Sequence, residues 1–278
     1  MARRMADAIT VRRALAQAGL APIDAQALLA HVLSRDRAWL VAHATDPLTA
    51  DQVRAFFSLA RRRREGEPVA YLTGVREFFG LPLAVDRRVL IPRPETETLV
   101  EWALRTLPAD RPLRVLDLGA GSGAIALAIA QARPQATVVA TDRSQDALAV
   151  ARGNAARLRL SNVDWLHAEW FGGLGPTRFD AIVSNPPYVA EGDLHLAEGD
   201  VRFEPSQALV PGLEGLEALR VIVAGAGDHL VPRGWLAVEH GYDQAAAVRG
   251  LLQQAGFGDL ESLRDLSGIP RVAVGRTV

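Results

Sequence analysis

The residues best suited to chemistry stand at 185–188, where Asn185, Pro186, Pro187 and Tyr188 follow an apolar run ending in Ser184. Two successive prolines remove two backbone donors and stiffen the turn. What remains is a set of acceptors and one aromatic face: the Asn185 side-chain oxygen, the Pro186 carbonyl and the Tyr188 ring. Such a set suits a planar amide or exocyclic amino nitrogen. Two acceptors grip its two hydrogens while its lone pair stays delocalised into a neighbouring π system. The nitrogen is then fixed in front of an electrophile, and positive charge building on it is favoured. No strong base is needed first, because the nitrogen turns acidic as it quaternises and sheds its proton afterwards. The plain alternative is a proline-rich surface turn opened by asparagine.

A second group lies upstream, in Val115-Leu-Asp-Leu-Gly119-Ala120-Gly121-Ser122-Gly123, between an apolar run and a helical pattern. Glycines belong where ligand atoms approach the backbone too closely for a Cβ, or where a turn needs positive φ. The next apolar run ends near Asp142, placed so that an acid there accepts both hydroxyls of a ribose. Gly119-x-Gly121-x-x-Ala124 fits the register of a nicotinamide-binding loop. Three alternating glycines with Asp117 two residues ahead look more like the loop of S-adenosylmethionine enzymes. A ligand-free tight turn stays open for the loop, and a helix cap for Asp142. The 185–188 group separates the two ligand readings, since hydride transfer has no use for paired acceptors.

These residues need a scaffold, and the pattern supplies one. Strand-like runs at 114–118, 137–141, 163–167, 180–184 and 235–239 alternate with helical patterns at 124–132, 145–158, 213–230 and 244–255. Apolar segments at 257–263 and 271–274 add a terminal hairpin, for seven strands. Alternation of this kind makes a doubly wound, mostly parallel sheet with helices on both faces, a fold of the α/β class. Ligands of such sheets bind beyond the carboxyl ends of the strands, where both groups lie. Residues 1–74 read instead as a small helical bundle: a first helix within 1–20, one opening after Pro22, and one opening at the Thr49/Gln52 capping box and running toward Gly66. Residues 75–90 read as a β-hairpin linker, and 91–278 as the ligand-binding domain, whose first helix starts near Thr96.

The bulk properties exclude several classes. Cysteine is absent, which removes disulfides, thiolate metal sites and cysteine nucleophiles, and fits a cytoplasmic protein. The net charge of −1 argues against direct duplex DNA binding, which normally draws on a basic surplus. No apolar run approaches the roughly 20 residues of a membrane-spanning helix. The six histidines have no metal-binding spacing, so no metal is expected, and His240 reads as a strand-end residue. The run Arg61 to Arg64 reads as a solvated helix end, with an acidic or RNA-bearing partner as the alternative.

Taken together, the amino-terminal helical block, the segment Tyr71 to Val85, Ile91-Pro-Arg-Pro-Glu-Thr-Glu97, the glycine loop, Asn185 to Tyr188 and Gly199-Asp-Val-Arg-Phe-Glu-Pro205 carry a resemblance. The chain resembles the glutamine methyltransferases that modify peptide chain release factors, the PrmC/HemK family. The resemblance implies transfer of a methyl group from S-adenosylmethionine to the side-chain amide nitrogen of glutamine in the Gly-Gly-Gln motif of those factors. It implies that Gly119, Ala120, Gly121, Ser122 and Gly123 form the cofactor loop and Asp142 the ribose acid. It also implies that Asn185, Pro186, Pro187 and Tyr188 form the substrate loop, with Asn185, Pro186 and Tyr188 catalytic and Asn185 near the methionine end of the cofactor. Trp170 reads equally as an adenine contact or a core aromatic; the resemblance assigns it to the adenine. Release factors are the expected partners and a monomer the expected state. The Asn-Pro-Pro-Tyr motif alone is shared with adenine methyltransferases, so an amino-methyltransferase acting on nucleic acid is the first rival. A nicotinamide-dependent oxidoreductase and a non-catalytic binding module are the others.

Overall fold

Local caps set the amino-terminal elements. Thr10 caps α1 (Val11–Gln17) by accepting from the Arg13 N–H. Helix α2 (Pro22–Leu33) carries its proline in the first turn, where the missing N–H is no loss, and ends on Ser34 in the left-handed region. Asp36 caps α3 (Arg37–Ala42) at the Trp39 N–H. Both halves of the Thr49/Gln52 capping box are present on α4 (Ala50–Arg64), and α5 (Val69–Thr73) stops at Gly74, whose φ is +72°.

The computed structural model describes residues 9–197 and 199–278, and they form two compact units. The part of the expected first helix at residues 1–8 lies outside the described residues. The first unit joins these helices to the distant segment 197–203. Its core holds Val11, Leu28, Leu29, Leu40, Phe56 and Leu72. The basic run at its end is only partly the solvated face expected: Arg61 and Arg64 are exposed, while Arg62 and Arg63 are half-buried. Arg62 pairs with Glu67, Arg63 bridges Asp24 and Asp200, and Arg64 donates to the Ala18 carbonyl. Helix α3 was not foreseen, and α5 carries the helical block as far as Thr73.

The second unit opens with β1 (Val75–Phe78) and β2 (Leu81–Ala84), turning on Phe79 and Gly80, both at positive φ as a tight hairpin requires. Phe78, Leu81 and Leu83 are buried in the core of this unit. The segment 75–90, expected as a linker, thus carries a hairpin that belongs to the second unit. After a 3-10 turn at Pro94–Thr96 come α6 (Glu97–Thr106), β3 (Arg114–Leu118), α7 (Ala124–Ala132), β4 (Thr137–Asp142), α8 (Gln145–Leu158), β5 (Val163–His167) and β6 (Phe179–Ser184). Then follow α9 (Glu217–His229), β7 (Leu230–Glu239), α10 (Ala245–Gln254), β8 (Gly258–Arg264) and β9 (Pro270–Arg276).

The seven-stranded sheet runs β5-β4-β3-β6-β7-β9-β8, parallel except where β9 pairs antiparallel with β7 and β8. Its central strands are buried on both faces. Val115, Val138 and Ala181 join α6 and α7 in one cluster, while their neighbours Leu116, Val139 and Ile182 join α9 and α10 in the other. From β3 the chain first builds outward through β4 to β5, then returns to place β6 on the other side of β3. That reversal opens a crevice at the carboxyl ends of β3 and β6, where the two groups singled out from the sequence stand. Among the described residues no helix is long and apolar enough to cross a membrane.

Candidate active site

The loop between β3 and α7 is tied down by the end of β4. Gly119 and Ala120 both donate to the Thr141 carbonyl at 2.9 Å, and Gly121 donates to Asp142 Oδ2 at 2.8 Å. Asp142 Oδ1 accepts from the Ser144 N–H at 2.8 Å, while the Ser144 hydroxyl caps α8 at Ala147. The cap position is therefore Ser144, and Asp142 is a carboxylate held by two backbone donors at the rim of the crevice. Gly119, Gly121 and Gly123 all have positive φ, at +79°, +55° and +84°. Their reasons differ. A Cβ on Gly121 would meet nothing within 4 Å, so this position is open toward the cleft; a Cβ on Gly123 would stand 2.9 Å from the Trp165 ring and 3.2 Å from Ala151. Gly123 is small for packing.

The cleft so formed spans about 960 Å³, its open mouth included. Gly119, Ala120, Gly121, Ser122, Asp142, Trp170, Asn185 and Pro187 line it; Gly123, Pro186 and Tyr188 do not. Trp170 reaches it from the turn after β5 with φ +48°, a left-handed conformation unfavourable for a bulky side chain. Its carbonyl accepts from the Thr141 hydroxyl at 3.2 Å. The facing wall joins two motifs that the sequence left unconnected. Glu204 accepts from the Ile91 N–H at 3.0 Å and from the Arg93 guanidinium, which fixes Pro92 and Arg93 beside Pro205 and Gln207 along the cleft.

Ser184, the last residue of β6, donates to the Leu118 carbonyl at 2.7 Å and so registers the next loop against the glycine loop. Asn185 follows. Its Nδ2 donates to Thr96 Oγ1 at 3.0 Å, which leaves the side-chain oxygen available as an acceptor at the cleft. Behind the loop the Tyr188 hydroxyl donates to Glu239 Oε1 at 3.3 Å, and the Tyr188 carbonyl accepts from Gln244 at 3.0 Å. Burial raises the Tyr188 phenol well above its ordinary value and lifts the Glu239 carboxyl to about 7. Asp117, 1% exposed under the glycine loop, is likewise raised to about 7 by burial, and its Oδ2 accepts from the Ala126 N–H at 3.1 Å. His240 is buried with Nδ1 on the Gly241 carbonyl, and burial lowers its pKa.

Sequence reasoning thus missed Thr96, Glu239 and the Glu204 clamp. Thr96 and Glu204 lay inside motifs already noted but carried no assigned role; Glu239, an acid closing an apolar strand, was the available signal for a buried charge.

The comparisons with known proteins agree with this architecture. The family model described as PrmC N-terminal domain matches residues 9–74, and the one described as methyltransferase small domain matches residues 98–207. The chain is 53% identical over 254 residues to the release factor glutamine methyltransferase of Xylella fastidiosa (strain Temecula1), covering 91% of this chain and 92% of that protein. It is 53% identical over 262 residues to the release factor glutamine methyltransferase of Bordetella pertussis, covering 94% and 97%. Among solved structures, a methyltransferase from Pyrococcus furiosus superposes with a TM-score of 0.55 at 19% identity, covering 78% of this chain and 98% of that one, a likeness of fold alone. Identity at this level across nearly the full length makes the chain a member of the release factor glutamine methyltransferase family.

Proposed function

We propose that the chain transfers the methyl group of S-adenosylmethionine to the side-chain amide nitrogen of the glutamine in the Gly-Gly-Gln motif of peptide chain release factors, in the cytoplasm and as a monomer. The observation that carries the reading is Asn185: an amide with its nitrogen engaged by Thr96 and its oxygen left as an acceptor, at the edge of a glycine-loop cleft. The names of relatives about half identical in sequence support the substrate.

The cleft residues fit such a cofactor. Gly121 gives an open backbone approach, Asp142 offers a preset carboxylate for ribose hydroxyls, and Trp170 offers a ring face for adenine. S-adenosylmethionine, when bound, supplies an electrophilic methyl on a sulfonium. The chain supplies position and electrostatics. The Asn185 oxygen and the Pro186 carbonyl grip the two N–H groups of the target amide, and Tyr188 stiffens the loop that presents them. The Asn185 oxygen at the cleft favours positive charge on the nitrogen without taking its proton, which leaves to solvent after transfer. The helical unit of residues 9–74 and 197–203 orients the protein substrate in this reading.

The test is Asn185→Ala. Fold and most cofactor affinity are expected to persist, while the single-turnover rate falls by roughly 10²–10³, the usual effect of losing one preorganised polar contact. Asn185→Asp is expected to fall between alanine and wild type, since it keeps the acceptors but also stabilises the sulfonium before reaction. A wild-type rate in Asn185→Ala would leave Asn185 as a turn residue only.

A further inference from the structure

Two residues behind Asn185 have no part in the chemistry so far. Thr96, 4% exposed, ends the turn before α6; Glu239, 1% exposed, ends β7. The Thr96 hydroxyl receives Asn185 Nδ2–H at 3.0 Å, and its own hydrogen has the Glu239 carboxylate beside it as an acceptor. Tyr188 donates to the same carboxylate through Oε1 at 3.3 Å, and Oε2 is buried with no hydrogen-bond partner among the described residues. The other groups facing Glu239 are Arg271 from β9 and Glu95 from the turn before α6, with His240 next in the chain.

A hydroxyl has one hydrogen and two lone pairs. Once that hydrogen points to an ionised Glu239, only lone pairs of Thr96 face Asn185, and a lone pair accepts Nδ2–H but repels Oδ1. The two ends of a primary amide have nearly the same shape, so packing alone does not choose between them; the polarity of the partner does. We infer that Glu239, acting through the Thr96 hydroxyl, is a positioning residue that sets the orientation of the Asn185 amide and so makes the site an acceptor for a target N–H. The inference deepens the proposed function and rests on Asn185 gripping the target amide.

The arrangement also carries a pH dependence. Burial holds the Glu239 carboxyl near 7, so it is protonated in mildly acidic solution. A protonated carboxyl donates to Thr96, which frees the Thr96 hydrogen for Asn185 Oδ1 and stabilises the flipped amide. Methyl transfer therefore rises as Glu239 loses its proton.

The experiment measures single-turnover methyl transfer with saturating cofactor, between about pH 5.5 and about pH 9, for the full chain and its variants. Thr96→Val is expected to lower the rate by at least about tenfold while KM for the release factor changes by less than about threefold. Thr96→Ser, which keeps the hydroxyl, is expected to recover most of the loss. Glu239→Gln is expected to slow the reaction at alkaline pH and to flatten its rise through neutrality. The inference is overturned if Thr96→Ser is as slow as Thr96→Val, if Thr96→Val keeps the wild-type rate, or if Glu239→Gln keeps the wild-type pH profile. Should Thr96→Val fail to fold, the pH profile of Glu239→Gln decides alone. Asn185→Ala run alongside separates the two levels: if it matches wild type, the acceptor reading itself fails. If it is slowed while Thr96→Val and Glu239→Gln are not, only the positioning role fails.

Discussion

Asp142→Ala removes a side chain that ties the glycine loop to the end of β4. In the folded protein its carboxylate accepts two backbone N–H bonds, from Gly121 and from Ser144, both at 2.8 Å. Hydrogen bonds to a charged acceptor contribute roughly 1.5–3 kcal/mol each when buried. Asp142 is only partly buried, so the pair is expected to contribute about 2 kcal/mol in all. Chemical denaturation of the unliganded protein reads this loss. The functional part is separate. If the carboxylate also receives ribose hydroxyls, alanine weakens nucleoside binding by a further 1–3 kcal/mol, roughly 5- to 150-fold in Kd. Calorimetry with S-adenosylhomocysteine and its 2′-deoxy analogue distinguishes the two contributions. Wild type is expected to bind the deoxy analogue more weakly, and Asp142→Ala to bind both alike. A variant that loses stability yet keeps the full preference for the hydroxyl would refute the ribose role and leave Asp142 as a loop tie.

Asp117→Asn tests the buried acid under the loop. Because burial raises its pKa from 3.8 to about 7, the folded state holds its proton more tightly than the unfolded one, and wild-type stability falls as pH rises through that window. Asparagine is expected to gain about 2 kcal/mol on wild type between about pH 5.5 and about pH 8.5, and denaturation curves that stay parallel would contradict this. Gly123→Ala forces a side chain at φ +84° into the Trp165 ring and is expected to destabilise by about 1–3 kcal/mol in a thermal melt. Arg63→Ala breaks the bridge between Asp24 and Asp200 and is expected to lower stability by about 2 kcal/mol; an unchanged midpoint in urea would mark the bridge as incidental.

The parts of the fold governed by periodicity were legible. The buried central strands read as continuous apolar runs because both faces are covered, and the Thr49/Gln52 box announced α4 from side-chain chemistry alone. Short elements were not legible. Helix α3 has only six residues, too few for a periodic stripe, and α5 owes its helix to Pro68 ahead of it and Gly74 behind it while its sequence is rich in strand formers. Nor does sequence reveal pairings across a hundred residues. The tie between Glu204 and the Ile91–Arg93 stretch, or between Asp200 and Arg63, arises only when the chain returns after β6. The glycine loop was legible as a loop but not in its division of labour. Gly121 opens toward the cleft and Gly123 toward Trp165, a difference set by the side chains of α8 and β5. Asn185 stood out by its type and company, whereas the Thr96 hydroxyl that holds its amide and the Glu239 carboxylate paired with Tyr188 come from other turns and strands.

The central claim is that the methyl group goes to a glutamine side-chain nitrogen. Incubating the protein with isotopically labelled S-adenosylmethionine and a purified release factor, then mapping the label by peptide mass spectrometry, tests it most directly. One added methyl is expected on the glutamine of the Gly-Gly-Gln peptide, located on the side-chain amide by fragmentation and absent with Asn185→Ala. Label on adenine in added nucleic acid, with that glutamine unmodified, would contradict it.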